Sequence, residues 1–345
     1  MLKNRGFWLG LGIGLVFLIL FLYRTDFSQM GRALADANYI FILPAVGFHL
    51  LAVWLRSMRW RYLLLHLGRI KVNRLFPVVI IGYMVNNILP LRPGELVRAY
   101  LVGERENISK AATLGTIVVD RIFDGLALLF FLVTVWLFVP LPAWVANIAR
   151  IGVAIFLSAL AILFVIASSD RLSQKLFRLL FRFLPRRLRI KAEEIGNLFV
   201  SGLRVVRSPG RLAGVFVISV LAWLTEAAVF YMMSFSFDLE QPFSTLLVAT
   251  ATANLALLVP SSPGGIGNFE YVCRQTIVLF GVEASLASAY TIALHAVLLL
   301  PIIVLGFCFL WMTNVSLAKV VHPVERKLVA GCEVQHVPLE TDGEA

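Results

Sequence analysis

Three charged residues stand close together inside a long apolar stretch. Asp120, Arg121 and Asp124 lie in a hydrophobic segment that covers residues 111–139. In a helix, Asp120 and Asp124 share one face, with Arg121 beside them. A guanidinium held by two carboxylates is well placed to bind a phosphate. The triplet is a candidate substrate-binding group, and the alternative is a structural ion pair that ties this helix to a neighbour.

Two further acids end stretches in which an apolar segment is broken by proline and glycine. The stretches NNILPLRPGE and NLALLVPSSPGGIGNFE end in Glu95 and Glu270. Both contain Pro-x-x-Pro-Gly, with an asparagine before the first proline, so the chain carries an internal repeat. We expect each glutamate either to accept hydrogen bonds from the irregular backbone or to face an arginine such as Arg98 or Arg121.

Small and amide residues in these breaks are candidate ligand contacts. Gly94, Gly264 and Gly265 allow backbone N–H groups to approach a ligand, and a helix that starts there points its positive end at an anion. Asn87 belongs to the same candidate site. Proline and glycine breaks in a bilayer are tolerated where the backbone lines a polar cavity, and paired breaks are typical of transporter binding sites. Ordinary turns are the alternative.

Isolated polar residues complete the candidate set. Glu226, midway through an apolar segment, is either a proton or substrate site or a hydrogen-bonded structural group. His295 and His49 are more often structural than ligands. No histidine pair has metal spacing, no catalytic triad is readable, and the three cysteines are scattered. We therefore predict no catalytic residue, metal or cofactor.

The composition excludes an ordinary soluble domain. Of 345 residues, 59% are hydrophobic and 15% charged, and the mean hydropathy is +0.86. The 31 Lys and Arg residues against 20 Asp and Glu give a net charge of +11. Because the basic residues lie between hydrophobic segments, they indicate membrane topology and contact with anionic lipid rather than nucleic acid.

The charges between the segments predict an inverted topology. Hydrophobic segments, about eight by hydropathy, cover residues 7–23, 39–55, 75–92, 111–139, 147–167, 211–233, 243–259 with 266–281, and 284–312. The linkers 56–74 and 168–211 are strongly basic and therefore cytoplasmic, although three segments separate them. One of these segments, 75–92, must then turn back, and 243–281 turns back from the other side.

The predicted fold is an all-α polytopic membrane protein with about six full spans and two broken re-entrant hairpins in an inverted repeat. Residues 1–320 form the membrane domain, and 321–345 form a polar, disordered tail. The first half covers about 1–139 with its break at 86–95, and the second covers about 211–315 with its break at 254–270. Residues 170–185 predict an amphipathic helix on the cytoplasmic leaflet, or a solvated connecting helix. The retained first segment and the basic tail place both termini in the cytoplasm, at the cell inner membrane.

The same motifs resemble a known family, the flippase-like membrane proteins related to the transmembrane region of lysylphosphatidylglycerol synthase. The resemblance rests on Arg56–Trp60 (RSMRW), Asn87–Glu95, the pair Asp120–Arg121 and Pro260–Glu270. It implies a bacterial or archaeal protein that moves a lipid between leaflets, with an anionic phospholipid or an isoprenoid-linked lipid as its partner. Two departures stand out: we expect no soluble aminoacyl-transfer domain, and His295 stands where the family pattern predicts an arginine.

Three functions remain open on the sequence. The first is a lipid transporter rather than an enzyme, with a head group held between the two breaks. The second is a membrane-embedded glycosyl- or head-group transferase with Asp120 or Glu226 as its base. The third is an accessory subunit that recruits a lipid synthase through residues 168–211. A homo-oligomer is compatible with all three.

Overall fold

The computed structural model describes residues 5–23, 25–89, 92–140, 143–169, 173–175, 179, 181, 185–258 and 262–312. These residues form helices joined by short turns, with no strand among them. The α-helices are α1 (Arg5–Leu22), α2 (Phe27–Asp36), α3 (Ile42–Leu64), α4 (Val72–Ile88), α5 (Gly94–Glu106), α6 (Lys110–Trp136), α7 (Ala143–Ser168), α8 (Arg186–Leu203), α9 (Pro209–Ser236), α10 (Phe243–Ala256), α11 (Asn268–Leu279) and α12 (Ala284–Met312). The predicted helix at 170–185 lies mostly outside the described residues, and the predicted tail 321–345 lies wholly outside them.

Several helices are long and apolar enough to cross a bilayer. Four pass on length and hydropathy: α3 with its preceding 3-10 turn, α7, α9 and α12. The pair α1 and α2 could supply a fifth span, bent by 87°. Helix α6 is also 27 residues long, but it carries the charged triplet within its apolar sequence. The chain is therefore an all-α, multi-pass membrane protein, as the sequence predicts.

Helices α3 and α9, which open the two repeats, run antiparallel. His49 lies against Glu226, Arg59 lies against Ser219, and Tyr62 lies beside Gly214. Residue numbers therefore rise along α3 as they fall along α9. Equivalent helices that run in opposite directions are related by an axis perpendicular to them, which is the geometry of an inverted repeat.

The two broken segments each form a helical hairpin. Arg74 near the start of α4 reaches Glu106 at the end of α5, and Asn86 lies against Gly94 at the turn. In the second repeat, Thr252 of α10 and Thr276 of α11 are 2.9 Å apart through their hydroxyl oxygens. At about 1.5 Å per residue, the 17 residues of α4 reach about 25 Å, short of a hydrocarbon core of about 30 Å. The chain therefore turns back within each hairpin.

The hairpins meet at their turns. The added Cβ of an alanine at Gly264 would lie 3.4 Å from the Asn87 carbonyl oxygen, so the two turns are in contact. Helix α12 runs antiparallel to α4, with Phe309 beside Phe76 at one end and Leu299 near the α4 turn at the other. We call the turn between α4 and α5 the first tip and the turn between α10 and α11 the second tip. A site between the tips draws on both repeats.

One assignment from the sequence needs correction. The basic linker 56–74 was expected to lie outside the bilayer, but α3 continues to Leu64 and takes Arg56 and Arg59 into the bundle. Both arginines are buried, at 6% and 0% exposure. They are retained there because carboxylates from α6 and α9 pair with them, a contact that the linker sequence alone does not reveal.

Candidate functional site

A cavity of about 200 Å³ lies between the two tips and the helices behind them. Its wall includes polar and charged groups from both repeats: His49, Arg56, Tyr83, Asn86, Asn87, Arg92, Glu95, Arg121, Asp124, Glu226, Asn254, Gly264, Gly265 and His295. Apolar residues such as Leu128, Leu298 and Ile302 close the remainder. The volume is below the roughly 300–1,000 Å³ of a drug-sized pocket, so it suits a compact polar group rather than a whole lipid.

Behind the cavity wall lies an ion network centred on Arg59. Its guanidinium has no exposed surface and lies 2.8 Å from Asp120 Oδ1 and 2.7 Å from Asp124 Oδ1. It also donates to the hydroxyl of Ser219 on α9 at 2.9 Å. Trp223 donates its indole N–H to Asp124 Oδ1, again at 2.9 Å. Asp124 is therefore tied directly to the opposite repeat, whereas Asp120 reaches it only through Arg59 and Ser219.

Arg121 is the guanidinium of this network that reaches the cavity. Asp120 Oδ2 accepts from it at 3.2 Å, and Asp124 Oδ2 lies 3.3 Å away. The Tyr83 hydroxyl lies 3.4 Å from the same guanidinium. Its side chain nevertheless remains 35% exposed, whereas the side chain of Arg59 is 0% exposed. Two carboxylates hold the fork while part of it faces the open space, which is the arrangement expected of an anion contact.

Arg98 and Asp120 support the wall from behind. Arg98 lies over the ring of Trp60, 4.1 Å from its centroid, and its guanidinium is 3.4 Å from Asp120 Oδ2. Arg98 is 2% exposed and Asp120 is 1% exposed, and neither lines the cavity. Asp120 thus bridges three arginines, and its structural role matches the ion-pair alternative.

Glu226 closes the opposite wall through two partners. Its Oε2 accepts from Arg56 at 2.7 Å, and its Oε1 lies 3.0 Å from His49 Nδ1. The Arg56 guanidinium also covers the Trp223 ring at 4.4 Å. Because both carboxylate oxygens are engaged, the geometry matches the hydrogen-bonded structural alternative better than a free base.

The first tip is held by an asparagine. Asn86 Oδ1 accepts from the Gly94 N–H at 2.7 Å, and its Nδ2 donates to both oxygens of Glu95 at 3.2 Å. Gly94 itself packs so tightly that an added Cβ would lie 2.0 Å from the Gly82 carbonyl oxygen. The Gly94 N–H is therefore occupied, and this glycine permits helix contact rather than ligand approach.

The second tip is held by Glu270 and His295. Glu270 Oε2 accepts from the Gly267 N–H at 2.6 Å, and its Oε1 lies 2.6 Å from His295 Nδ1. His295 Nε2 is 3.1 Å from the Gly264 carbonyl oxygen. Gly264, Gly265 and Gly267 have φ values of 67°, 76° and 93°, a left-handed backbone that side chains disfavour. Gly264 and Gly265 line the cavity, whereas Glu270 lies behind His295.

The structure thus divides the predicted residues into two groups. Those in the cavity wall are Asn87, Glu95, Arg121, Asp124, Glu226, Gly264, Gly265 and His295. Those behind the wall are Gly94, Arg98, Asp120 and Glu270. All of them lie in or around a single region, although the sequence distributes them over more than 200 positions.

Sequence reasoning missed several wall residues. Arg92 sits inside the first motif, and its φ of 51° marks the sharp turn of the first tip. Its position between two prolines of the motif was a usable signal. Arg56 and His49 were interpreted as a topology charge and a structural histidine, because their partner Glu226 lies at least 170 residues away in the sequence. Only the folded bundle brings them together.

Comparisons with known proteins find membrane proteins along most of the chain. The chain is 25% identical over 298 residues to a UPF0104 membrane protein of Methanothermobacter thermautotrophicus, covering 82% of this chain and 86% of that protein. It is 22% identical over 297 residues to a UPF0104 membrane protein of Pyrococcus horikoshii, covering 81% of this chain and 89% of that protein. It is also 27% identical to Glycosyltransferase AglD of Haloferax volcanii over 343 residues, which are 90% of this chain but 55% of AglD.

The family profile covers both repeats and the site. The profile described as the lysylphosphatidylglycerol synthase TM region matches residues 7–306, which include both tips, the ion network of α6 and His295 on α12. The match spans most of the helices described above. The chain therefore belongs to the family of the lysylphosphatidylglycerol synthase transmembrane region.

Proposed function

We propose that this protein moves a lipid with an anionic, phosphate-bearing head group between the two leaflets. The observation that carries the proposal is the polar cavity between two inverted hairpin tips, with a partly exposed, carboxylate-held Arg121 in its wall. Phosphate is the group that such a guanidinium binds best. The head group occupies the cavity, and the acyl or isoprenoid chains stay in the bilayer, because the cavity is too small for them.

The inverted repeat supplies a route for the movement. Inverted halves exchange conformations, so that a site between them opens alternately to each side. Each tip ends short of a full crossing, so a modest shift of one hairpin against the other changes which side the cavity faces. The apolar outer surfaces of α7 and α9 remain against lipid throughout.

The orientation follows from charge at one end of the bundle. The loop after α3 carries Arg69 and Lys71, and the start of α4 lies beside the end of α12. By the positive-inside rule we expect this end to face the cytoplasm of the inner membrane, and both termini to lie on that side. Single cysteines at Glu104, Asn147, Asp238 and Gly281 test it: only Glu104 should label from the cytoplasmic side. External labelling of Glu104 would contradict the topology.

The transport test uses purified protein in liposomes that contain a fluorescent phosphatidylglycerol and are treated with a membrane-impermeant quencher. Arg121→Gln should slow translocation roughly 10- to 100-fold, because a hydrogen bond to a charged group contributes about 1.5–3 kcal/mol. The matched control is Arg150→Gln, an exposed arginine on α7 that pairs with Asn147 and does not line the cavity. Equal rates for both variants at equal protein levels would refute the site assignment.

The lipid class is resolved by changing the probe. Fluorescent phosphatidylglycerol and a polyprenyl phosphate share a phosphate, whereas phosphatidylcholine adds a positive charge that the arginine-rich wall opposes. We expect the two anionic probes to be translocated faster than phosphatidylcholine. Equal rates for all three would show that the arginine wall does not select the head group.

The name of AglD favours one alternative, a glycosyl-transfer function linked to lipids. In that case Asp120 or Glu226 would be the base. The geometry argues against this role, since Asp120 faces three arginines and Glu226 has both oxygens engaged. Conversion of a labelled lipid and sugar donor by the purified protein alone would favour the enzyme over the transporter.

A further inference from the structure

His295 bonds to two hydrogen-bond acceptors at once. Its Nδ1 faces Glu270 Oε1 at 2.6 Å, and its Nε2 faces the Gly264 carbonyl oxygen at 3.1 Å. A neutral imidazole carries one N–H, so it can donate to only one of them. Either both ring nitrogens are protonated, or Glu270 carries a proton and donates it to Nδ1. In both forms the pair holds one proton more than a carboxylate with a neutral imidazole does.

The surroundings of Glu270 favour the form of the pair that holds this additional proton. Among the described side chains, His295 is the one that pairs with Glu270, and the other carboxylate oxygen accepts from the Gly267 N–H. Arg274, on the same helix, donates instead to the Phe21 carbonyl oxygen. Phe269 stacks on the imidazole with the ring centroids 4.3 Å apart, and this excludes water from one face. A buried carboxylate without an arginine is costly unless a proton neutralises it.

A second histidine–glutamate pair in the same cavity lacks this property. Glu226 has Arg56 as a cationic partner at 2.7 Å, so it needs no additional proton. His49 Nδ1 bonds to Glu226, but its Nε2 has no partner among the described atoms. One proton therefore satisfies His49, whereas His295 needs two hydrogen-bond donors. The two pairs provide an internal comparison.

The charges around the cavity show what the proton does. The titratable groups that surround His295 lie in the cavity wall or directly behind it. The carboxylates among them are Glu95, Asp120, Asp124, Glu226 and Glu270, and the arginines are Arg56, Arg59, Arg92, Arg98 and Arg121; His49 and Tyr83 also line the cavity. The arginines of this region therefore equal its carboxylates in number. Without the additional proton the region is neutral, and with it the region carries one positive charge.

We propose that the His295–Glu270 pair is a proton-binding site and that an anionic head group binds together with this proton. The inference rests on the proposed function for its second ligand. The proton compensates the charge of the phosphate, and it also completes the hydrogen bond that holds the Gly264 carbonyl in the second tip. Loss of the proton removes one of these two bonds, so release of the proton and release of the lipid favour each other.

The binding test uses purified protein and a short-chain phosphatidylglycerol. At pH values where the lipid-free protein has lost the shared proton, the affinity of wild-type protein for this lipid should fall about tenfold per pH unit, because one proton binds with each lipid. Glu270→Gln removes the carboxylate and should flatten this dependence. His49→Gln is the matched variant and should keep the slope, whatever its affinity. A flat wild-type profile, or equal flattening by both variants, would overturn the proposal.

A second readout does not depend on lipid. In protein with 15N-labelled histidine, assigned by comparison with His295→Gln, the His295 ring signals should differ between a pH at which lipid binds tightly and a higher pH at which binding has weakened, because the shared proton has left. Identical signals under the two conditions would overturn the proton site. If these signals titrate but no lipid binds at any pH, the proton site stands and the proposed function fails. If lipid binds but its affinity does not depend on pH, the proposed function stands and the proton site fails.

Discussion

The two hairpin tips have related sequences, but different groups hold them in place. In the first tip, the side-chain amide of Asn86 bonds to the Gly94 N–H and to Glu95. In the second, Glu270 and His295 bond to Gly267 and Gly264. The helices that follow show the same difference, since Ser109 caps α6 and Glu283 accepts from the first turn of α12.

This difference shows which features an inverted repeat preserves. The broken backbone, the hairpin and its place at the cavity recur in both halves, because the bilayer tolerates irregular backbone only there. The side chains that hold each tip can differ between the halves, provided that they form hydrogen bonds with the exposed backbone. The first half bonds its exposed backbone N–H groups with an amide and a hydroxyl, although Glu95 lies beside the amide. The second half bonds them with the carboxylates of Glu270 and Glu283. We therefore expect the first half to act as a fixed wall and the second to respond to pH.

The largest effect should come from the buried network behind the first tip. Arg59→Met leaves Asp120 and Asp124 without their shared partner and should reduce the free energy of unfolding by about 3–5 kcal/mol. The free energy of unfolding is measured by SDS-induced unfolding, with circular dichroism as the signal. Arg150→Met, which removes an exposed arginine, should change stability little. Equal stability of the two variants would show that the network contributes nothing to the fixed wall.

Close packing of the first tip predicts the next effect. Gly94→Ala would place a methyl group 2.0 Å from the Gly82 carbonyl oxygen and 2.5 Å from Asn86 Oδ1. Because backbone must move, we expect a loss of up to about 3 kcal/mol. Gly47→Ala on α3 is the control, since its Cβ would meet no atom within 4 Å. The same unfolding assay compares them, and a loss for both would point to a general effect of added bulk.

The comparison between the tips can be inverted by one substitution. Asn86→Asp keeps the acceptor for the Gly94 N–H but places a second carboxylate beside Glu95. The first tip should then become pH-sensitive, losing about 1–2 kcal/mol at alkaline pH and less under acid conditions. Asn86→Ala loses the bonds to both Gly94 and Glu95, so its loss of stability should not change with pH. If unfolding of Asn86→Asp shows the same pH profile as Asn86→Ala, the fixed-wall interpretation of the first tip is wrong.

The sequence was sufficient for the features that depend on local chemistry. Proline, glycine and the repeated motif predicted both breaks, and counting the linker charges predicted that residues 75–92 turn back. The charged triplet singled out Arg121, which lies in the cavity wall, because charges within an apolar helix usually face a cavity; its contact with a lipid stays a prediction. The family resemblance was confirmed over nearly the whole chain.

The sequence was insufficient where a residue's role depends on a distant partner. Arg56 and Arg59 counted as linker charges, since nothing local reveals that Glu226 and Asp120 neutralise them. Glu95 and Glu270 seemed equivalent because each follows a break. Both lie in the first turn of the helix that follows the break, but Glu95 accepts from Asn86 of the preceding helix, whereas Glu270 bonds to a histidine from α12. The motif predicts the shape of a tip but not the contacts that fix it.

The smallest effect should appear at the caps, where the comparison is simplest. Glu283 accepts from the N–H groups of Ser285 and Leu286 at 2.8 Å. Desolvation raises the pKa of Glu283, but these bonds outweigh it and hold the pKa below its ordinary value of 4.5. The stabilisation is therefore full above that value and is lost as the pH falls through the folded pKa.

Glu283→Ala should consequently lose about 1 kcal/mol at neutral pH and less in acid, as expected for a helix cap. Ser109→Ala removes the corresponding cap of α6, whose hydroxyl does not titrate, so its loss should be the same at both pH values. Unfolding of the two variants at neutral pH and below about pH 4 separates these outcomes. An equal pH response in both would mean that the caps do not share the difference between the tips. A response confined to Glu283 would extend the titratable character of the second half from its tip to the helix that carries His295.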